Sequence, residues 1–498
     1  MTSTVRNYVG GRWRDPDSAA SLPLHNPASG EVIGQVPLSG TAEVDAAVRA
    51  AREAFPAWRA TPAPERVRVL FRLKALLEEH KEALAVQLTT EHGKILPETR
   101  GELQRGIENV EHASGIPTLM MGETLEQIAP GIDSASWRQP LGVFGIITPY
   151  NFPVMIPLWF WPYALATGNT VVLKPSEQDP LTHQRIVELA EEAGLPPGVL
   201  NVVHGGREVV EAVCDHPDIA GVSFVGSSRV ARIVYGRAAA AGKRVQALGG
   251  AKNHLVVLPD ADVDAAVDAC MGSVFGSTGQ RCLAGSVVVG VGDAFAGVRE
   301  RLLDRAASLR IGDGMDPATQ MGPVISAAHR DRVRSFIDQG AAEGARLALD
   351  GREVTVPERD GGYWVGPTVF EEVDSGSAVA NEEIFGPVAV LARADTVDDA
   401  VALMHRSRYG NACSLFTTSG RAAREFRVRA GISMIGINVG VAAPMAFFPF
   451  GGSRQSFFGD LKAAGRDGVA FFTDQRVVIS RWGDADADPH HRPLEGSE

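Results

Sequence analysis

NTVVLKPSE (169–177), THQRIVELAEEAG (182–194), VLNVVHG (199–205), GREVVEAVCDHP (206–217), GVSFVGSS (221–228) and RVARIVYGRAAAAG (229–242) follow one another almost without gaps. Short apolar runs that end in polar residues alternate with segments of helical spacing, and KRVQALGGAKNHLVVLP (243–259) closes the set. That is the pattern of a parallel sheet with crossover helices. Its doubly wound form takes nucleotides at the carboxyl ends of the strands. The usual GxGxxG fingerprint is absent. Gly226 and Ser227 instead open a helix straight after a strand, where free N–H groups and the dipole suit a pyrophosphate, although an ordinary N-cap accounts for the same serine. Lys174 and Glu177 lie at the end of another strand. A carboxylate there suits ribose hydroxyls and repels a 2′-phosphate, which favours NAD over NADP.

Toward the N-terminus, residues 6–38 read as short strands with turns. Val44, Ala47, Val48 and Ala51 recur at helical spacing from Thr41 onward, and a second long helix is expected through RVRVLFRLKALLEEHKEALAVQLTTEHG (66–93). A third, Leu96 to Ser114, carries Glu102, Arg105 and Glu108. Taken alone, Arg105 reads as an i,i+3 ion pair with either glutamate on a solvated face. Between Gly122 and Gly142 the pattern changes to that of a hairpin or ribbon. The apolar strand in GVFGIITPYNFPVMIP (142–157) then runs into a loop bracketed by Pro149 and Pro153, with Asn151 at its tip. Its amide suits a developing oxyanion, or ties down its own turn.

A second αβ block begins near Leu258. After a helix over 261–275 comes FGSTGQRCLA (275–284), in which Gly276, Ser277, Thr278 and Gly279 leave room around one thiol and Arg281 sets a charge beside Cys282. A thiol is a nucleophile as thiolate, where an electrophile can reach it; a buried small residue in a loop is the bland alternative. Further helix and strand signals lead to a Gly-rich, aromatic region, PFGGSRQSFFGD (449–460), and a final strand, FFTDQRVVISRW (471–482). The tail 483–498 has almost no apolar content and reads as disordered.

At 498 residues the chain exceeds one ordinary core. A formal charge of −12 argues against a polyanion surface, so nucleic acid is not expected as a partner. The four cysteines are too scattered for a disulfide framework or a zinc site; His490 and His491 have no partners at ligand spacing, and no metal is expected. With no signal peptide and no apolar run long enough for a bilayer, the expectation is a cytoplasmic protein without membrane contact.

Together these pieces resemble the aldehyde dehydrogenase superfamily over nearly the whole chain. The resemblance rests on TPYNFP with Asn151, VVLKPSE with Lys174 and Glu177, FVGSS with Ser227, GQRC with Cys282, and EEIFGP with Glu383 and Phe385, in that order. More narrowly, QRGIE around Arg105, ALGGAKNH (247–254), QRC (280–282) and GSRQSFFGD (452–460) are similar to the CoA-acylating methylmalonate-semialdehyde dehydrogenases, which also act on malonate semialdehyde. The resemblance implies an α/β fold of two Rossmann-like domains and a β-ribbon oligomerisation element. Residues 1–126 and 146–250 would form the NAD-binding domain and 251–450 the catalytic domain. Residues 127–145 and 451–482 would form the ribbon and last strand, which pair across subunits in a dimer or tetramer; a homotetramer, a dimer of dimers, is expected.

The same resemblance implies the chemistry. Cys282 adds to the aldehyde, and Asn151 with the Cys282 backbone N–H holds the oxyanion. Hydride passes to a nicotinamide positioned by Phe385. Glu383 holds the nearer ribose, Lys174 and Glu177 the adenosine ribose, and Ser227 the pyrophosphate, while Thr148, Tyr150, Gln178, Gly226 and Gly249 complete the NAD contacts. Arg105 and Arg281 clamp the carboxylate of a small semialdehyde. Hydrolytic relatives carry a glutamate at the head of the xLGG segment where this chain has Ala247. Losing that general base costs water attack ~10²–10⁴-fold, whereas coenzyme A brings its own nucleophile. Decarboxylation and transfer to CoA, giving acetyl-CoA or propionyl-CoA, are thus implied. Asp460 is an alternative base that nothing in the sequence places near the thiol. A hydrolytic semialdehyde dehydrogenase is the competing reading; a non-catalytic relative would be expected to have lost Cys282 or Asn151.

Overall fold

The structure is a computed structural model, which describes residues 3–15 and 20–481. Trp482, the histidine pair at 490 and 491, and the tail expected to be disordered lie outside the described residues. Two large sheets dominate. In the first, five parallel strands lie in the spatial order Leu200–Val202, Thr170–Lys174, Val143–Ile147, Ile219–Val225, Arg244–Leu248. Counted along the chain this is 3-2-1-4-5, the doubly wound order, and the winding reverses between Val143–Ile147 and Ile219–Val225. Both flanking faces carry helices, so Val143–Ile147 and Thr170–Lys174 are buried at every position. Asn7–Val9 and Arg12–Arg14 extend one edge antiparallel, and Phe457–Phe458 the other.

The chain leaves this sheet at Leu248 and enters the second at Asn253. There, Thr368–Glu371, Val388–Ala394, Gly285–Val291, Asn253–Val257, Ala412–Phe416 and Met434–Ile437 are parallel neighbours, with Arg346–Leu349 antiparallel at one edge. Thr473–Arg481 pairs antiparallel with Ile132–Pro140, and Thr124–Ala129 completes a three-stranded ribbon. Fold class and motif order therefore match expectation.

Local differences have physical causes. The long helix expected over 66–93 is two helices, Ala63–Glu79 and Lys81–His92, that meet at His80, whose N–H closes onto Leu76 O (2.9 Å) and whose carbonyl accepts from Leu84 (3.0 Å). Helix Leu181–Glu192 takes its N-terminal cap from afar: both Glu91 carboxylate oxygens accept backbone N–H bonds, from Leu181 and Thr182, at 2.8 Å. Within 451–482 only Thr473–Arg481 belongs to the ribbon sheet, and Val143–Ile147 belongs to the first large sheet. Last strand and ribbon pair with one another inside a single chain.

Asn169 holds these parts together. Its side chain is fully buried, accepts from Leu141 and Gly142 N–H (2.8 and 3.0 Å) and donates to Phe472 O (2.7 Å), joining the ribbon, the first sheet and the segment before the last strand. Asn169→Ala removes the partner of three backbone groups, the part-buried N–H groups of Leu141 and Gly142 and the buried carbonyl of Phe472. At ~1–3 kcal/mol each, it should lower stability by roughly 3 kcal/mol or more, read as an earlier urea midpoint; an unchanged midpoint would refute this role.

Candidate active site

Gly276–Gly279 forms a tight turn directly after helix Val263–Val274, and Ser277, Thr278 and Gly279 all have left-handed backbone (φ +51°, +55° and +71°). For Ser and Thr that conformation costs about 1–2 kcal/mol per residue, so the surroundings must hold it. Ser277 N–H donates to Glu98 (2.6 Å), Thr278 Oγ1 to Gly322 O (2.9 Å), and the Gln280 side-chain oxygen accepts from Ile325 N–H (3.1 Å). A Cβ on Gly279 would lie 2.0 Å from Gly386 O, so only glycine fits. Beyond the turn, Asn253 and Asn411 both donate to the Cys282 carbonyl (2.9 and 2.8 Å) and fix the backbone there.

Asn151 approaches from the other sheet. Its amide donates to Gln280 O (3.0 Å), which uses one of its two N–H groups and leaves the other free. Its own carbonyl accepts from Lys94 Nζ (2.7 Å). Lys94 is ion-paired with Glu102, both side chains without solvent contact, and Glu102 accepts from Val154 and Met155 N–H (2.9 and 3.2 Å). One buried pair thus grips both sides of the Pro-bracketed loop.

Two cavities meet at the thiol. The larger, about 860 Å³, opens at the strand-order reversal; Tyr150, Asn151, Gly226, Ser227, Gly249, Glu383 and Phe385 line it. The other, about 500 Å³, is lined by Arg105 and Arg281 together with Glu98, Glu102 and Glu108 and apolar side chains such as Phe152, Trp159 and Phe450. Of all these lining residues only Cys282 belongs to both.

The structure brings most of the expected site residues to these walls, but not all. Thr148, Lys174, Glu177 and Gln178 stay outside the larger cavity's wall: Thr148 N–H donates to Lys174 O (3.1 Å), and Lys174 Nζ spends itself on Glu177 (2.5 Å). Ser227 Oγ accepts from Val230 N–H (3.4 Å), so it is an N-cap and a wall residue at once. Arg105 pairs with Glu108 (3.1 Å), one of the partners its spacing suggested, while lining the smaller cavity. Ala247 is fully buried in its strand, in the cluster of Phe224 and Phe458, and lines neither cavity. Asp460 lines a different cavity, with Arg138 and Lys243.

Several functional neighbours escaped sequence reasoning. His329 meets Phe385 O through Nε2 (2.7 Å), and Arg332 donates to Ile384 O and Glu383 O (2.7 and 3.0 Å). They hold the segment in which Phe385 takes a left-handed φ of +62°. Only the unusual backbone at Phe385 calls for such support, and backbone angles leave no trace in composition.

Electrostatics favour a thiol at rest. Burial pushes Cys282 up to about 12 and the Glu383 carboxylate adds to the push, against the N–H groups of Cys282 and Leu283 and the Arg281 guanidinium. Burial also raises Glu383 to about 7, opposed by its bond from Ala251 N–H (2.8 Å). Among the described residues no cluster of three or more His, Cys, Asp or Glu could hold a metal ion, and no helix is long and apolar enough to cross a membrane.

Residues 13–478 match the model of the aldehyde dehydrogenase family, and the chain belongs to that family. It is 51% identical over 480 residues to malonate-semialdehyde dehydrogenase 2 of Geobacillus thermodenitrificans, covering 96% of this chain and 99% of that one. Among solved structures it resembles methylmalonate-semialdehyde dehydrogenase (DddC) of Oceanimonas doudoroffii, with TM-score 0.95, 45% identity, and 98% and 99% of the two chains covered. It also resembles a Sinorhizobium meliloti 1021 protein assigned to the same activity and solved with NAD, with TM-score 0.96, 43% identity, and 97% and 99% covered.

A thiol raised this far should be alkylated by iodoacetamide at a rate that keeps climbing about tenfold per pH unit past pH 8.5, where an ordinary cysteine levels off. Glu383→Gln removes a negative neighbour, lowers the thiol pKa and should speed alkylation at pH 8. A plateau near pH 8.5 in the unmodified protein, or slower alkylation in the variant, would contradict this account.

Proposed function

We propose that this protein oxidises malonate semialdehyde or methylmalonate semialdehyde with NAD through a Cys282 thioester, releases carbon dioxide, and passes the remaining acyl group to coenzyme A as acetyl-CoA or propionyl-CoA. The observation that carries the reading is Cys282 as the common wall of two cavities, one at the strand-order reversal and one holding Arg105 and Arg281. The names of the relatives at about half identity support the substrate class.

The larger cavity suits a dinucleotide. The N-terminus of helix Ser228–Ala240 faces it, and Gly249 and Gly250 leave backbone where a Cβ would meet Gln455 O at 2.8 Å or Glu383 at 2.2 Å. NAD bound there supplies the two-electron acceptor. Gly226, Ser227 and Gly249 would lie along its pyrophosphate, with Glu383 at the nearer ribose. Tyr150 and Phe385, packed edge to face at 6.0 Å between ring centres, would border the nicotinamide. Thr148, Lys174, Glu177 and Gln178, at the same sheet edge, would serve the adenosine end.

Cys282 gives its thiol proton to water and adds as the thiolate to the aldehyde carbon, and the free Asn151 N–H with the Cys282 backbone N–H stabilises the oxygen. Arg105 and Arg281 hold the substrate carboxylate by charge-assisted bonds. In the thioester that carboxylate is β to a carbonyl, so carbon dioxide leaves as the electron pair passes into the thioester enolate, which is then protonated. The CoA thiolate displaces Cys282. Homo-oligomerisation through the ribbon is supported by exposed Leu125, Trp137, Val477 and Ile479 on its strands.

With malonate semialdehyde and NAD, acetyl-CoA should form in step with NADH only when CoA is present; free acid at the same rate without CoA would favour the hydrolytic reading. Arg105→Leu should raise KM for malonate semialdehyde by roughly 10–100-fold, the worth of a hydrogen bond between charged groups, and change KM for propanal little. Equal effects on both aldehydes would sink the clamp.

A further inference from the structure

The smaller cavity contains a carboxylate, Glu98, that is already paired with one of its two arginines. Glu98 sits in the first turn of helix Leu96–Ser114, where the helix dipole favours its negative charge. A single oxygen, Oε1, accepts from Arg281 Nη2 (2.9 Å) and from Ser277 N–H (2.6 Å). Both Glu98 and Arg281 are largely buried, with 15% and 19% of their side chains exposed.

The rest of the Arg281 setting is built as closely. Its Nη1 donates to Gly272 O (3.2 Å), and the guanidinium lies across Gly276, where a Cβ would meet Nη1 at 2.6 Å. Among the described residues, the one carboxylate paired with Arg281 is Glu98. Glu108 stands in the same relation to Arg105 but bonds nothing in the nucleophile's turn. Among the described carboxylates, Glu98 alone bonds both the proposed substrate ligand and the strained turn.

We propose that Glu98 is a positioning and specificity residue: it anchors the left-handed turn before Cys282 through Ser277 N–H, and it neutralises Arg281 until the carboxylate of a short semialdehyde takes the guanidinium over. The second half rests on the reading of Arg281 as a substrate ligand. An aldehyde without a carboxylate cannot displace Glu98, and the arginine remains paired. One with a carboxylate converts an internal ion pair into a substrate contact, at the cost of separating Glu98 from Arg281. Selectivity is thereby set by a competition as well as by an attraction.

Two variants separate the halves. Glu98→Gln is isosteric, keeps an acceptor for Ser277 N–H and removes the charge. Glu98→Ala removes both. Steady-state kinetics on malonate semialdehyde and propanal should show the ratio of KM values shifting about tenfold toward malonate semialdehyde in E98Q, the scale of one charge-assisted bond. In E98A, kcat for propanal should fall about tenfold or more because the turn loses the bond that offsets its left-handed residues, and E98Q should restore most of it. A KM ratio unchanged in E98Q, or E98A turning propanal over at the unmodified rate, overturns the proposal. An unmodified enzyme indifferent to the carboxylate refutes the clamp and with it the charge competition; the propanal comparison of E98A with E98Q bears on the turn alone.

Discussion

An ammonium and a carboxylate cut off from water, those of Lys94 and Glu102, lie between the two halves of this site. Removing two ions from solvent costs several kcal/mol each, and their mutual attraction recovers that only when the remaining donors and acceptors are also satisfied. Here they are: Lys94 has Asn151 O, and Glu102 has the N–H groups of Val154 and Met155. The Asn151 loop is thus the solvation shell of a buried ion pair. It cannot shift without leaving a charge unpaired, and so the Asn151 amide stays fixed beside Gln280 and the thiol.

The turn before Cys282 obeys the same logic on a smaller scale. The left-handed Ser277 and Thr278 are unfavourable alone, and the turn's own bonds, Thr278 N–H to Phe275 O and Gln280 N–H to Ser277 O, are joined by others from far along the chain: Glu98 from a helix, Gly322 and Ile325 from a distant loop. The loop after Val143–Ile147 carries Asn151 and the chain before Gly285–Val291 carries Cys282, so the end of one central strand from each sheet meets the other at these two residues. A cavity opens on each side of that junction, which is how one sulfur comes to face both.

What the sequence made legible follows the range of the forces involved. Periodicity and polar strand ends are local, and the parallel strands of the first sheet and helix Leu96–Ser114 were found from them. Their spatial order needed crossover topology, which alternation implies. Asn151 and Cys282 stood out through their loops, whereas Glu98, His329, Arg332 and Asn411 did not, because each acts on a partner far along the chain and looks like an ordinary surface residue in its own segment. Arg105 shows the limit from the other side. The i,i+3 ion pair and the place in the cavity are both present, so the local reading was correct and incomplete.

Ala247 makes the hardest case. The lack of a carboxylate there pointed to CoA as acyl acceptor, yet the side chain is packed in the strand core between Phe224 and Phe458. The question for water attack then becomes which carboxylates on the cavity walls are free to take a proton. Glu98 is held by Arg281 and Ser277, Glu108 by Arg105, Glu102 by Lys94, and Glu382 by Arg408 (2.5 Å). In each of these pairs a carboxylate oxygen is turned toward a guanidinium or ammonium group. Glu383 is the exception, raised to about 7 and bonded through one oxygen to Ala251 N–H, but its charge bears on the resting thiol and its place is on the wall assigned to the dinucleotide. The carboxylates on these walls other than Glu383 are thus already paired with cations, a property of the whole site and not of position 247 alone.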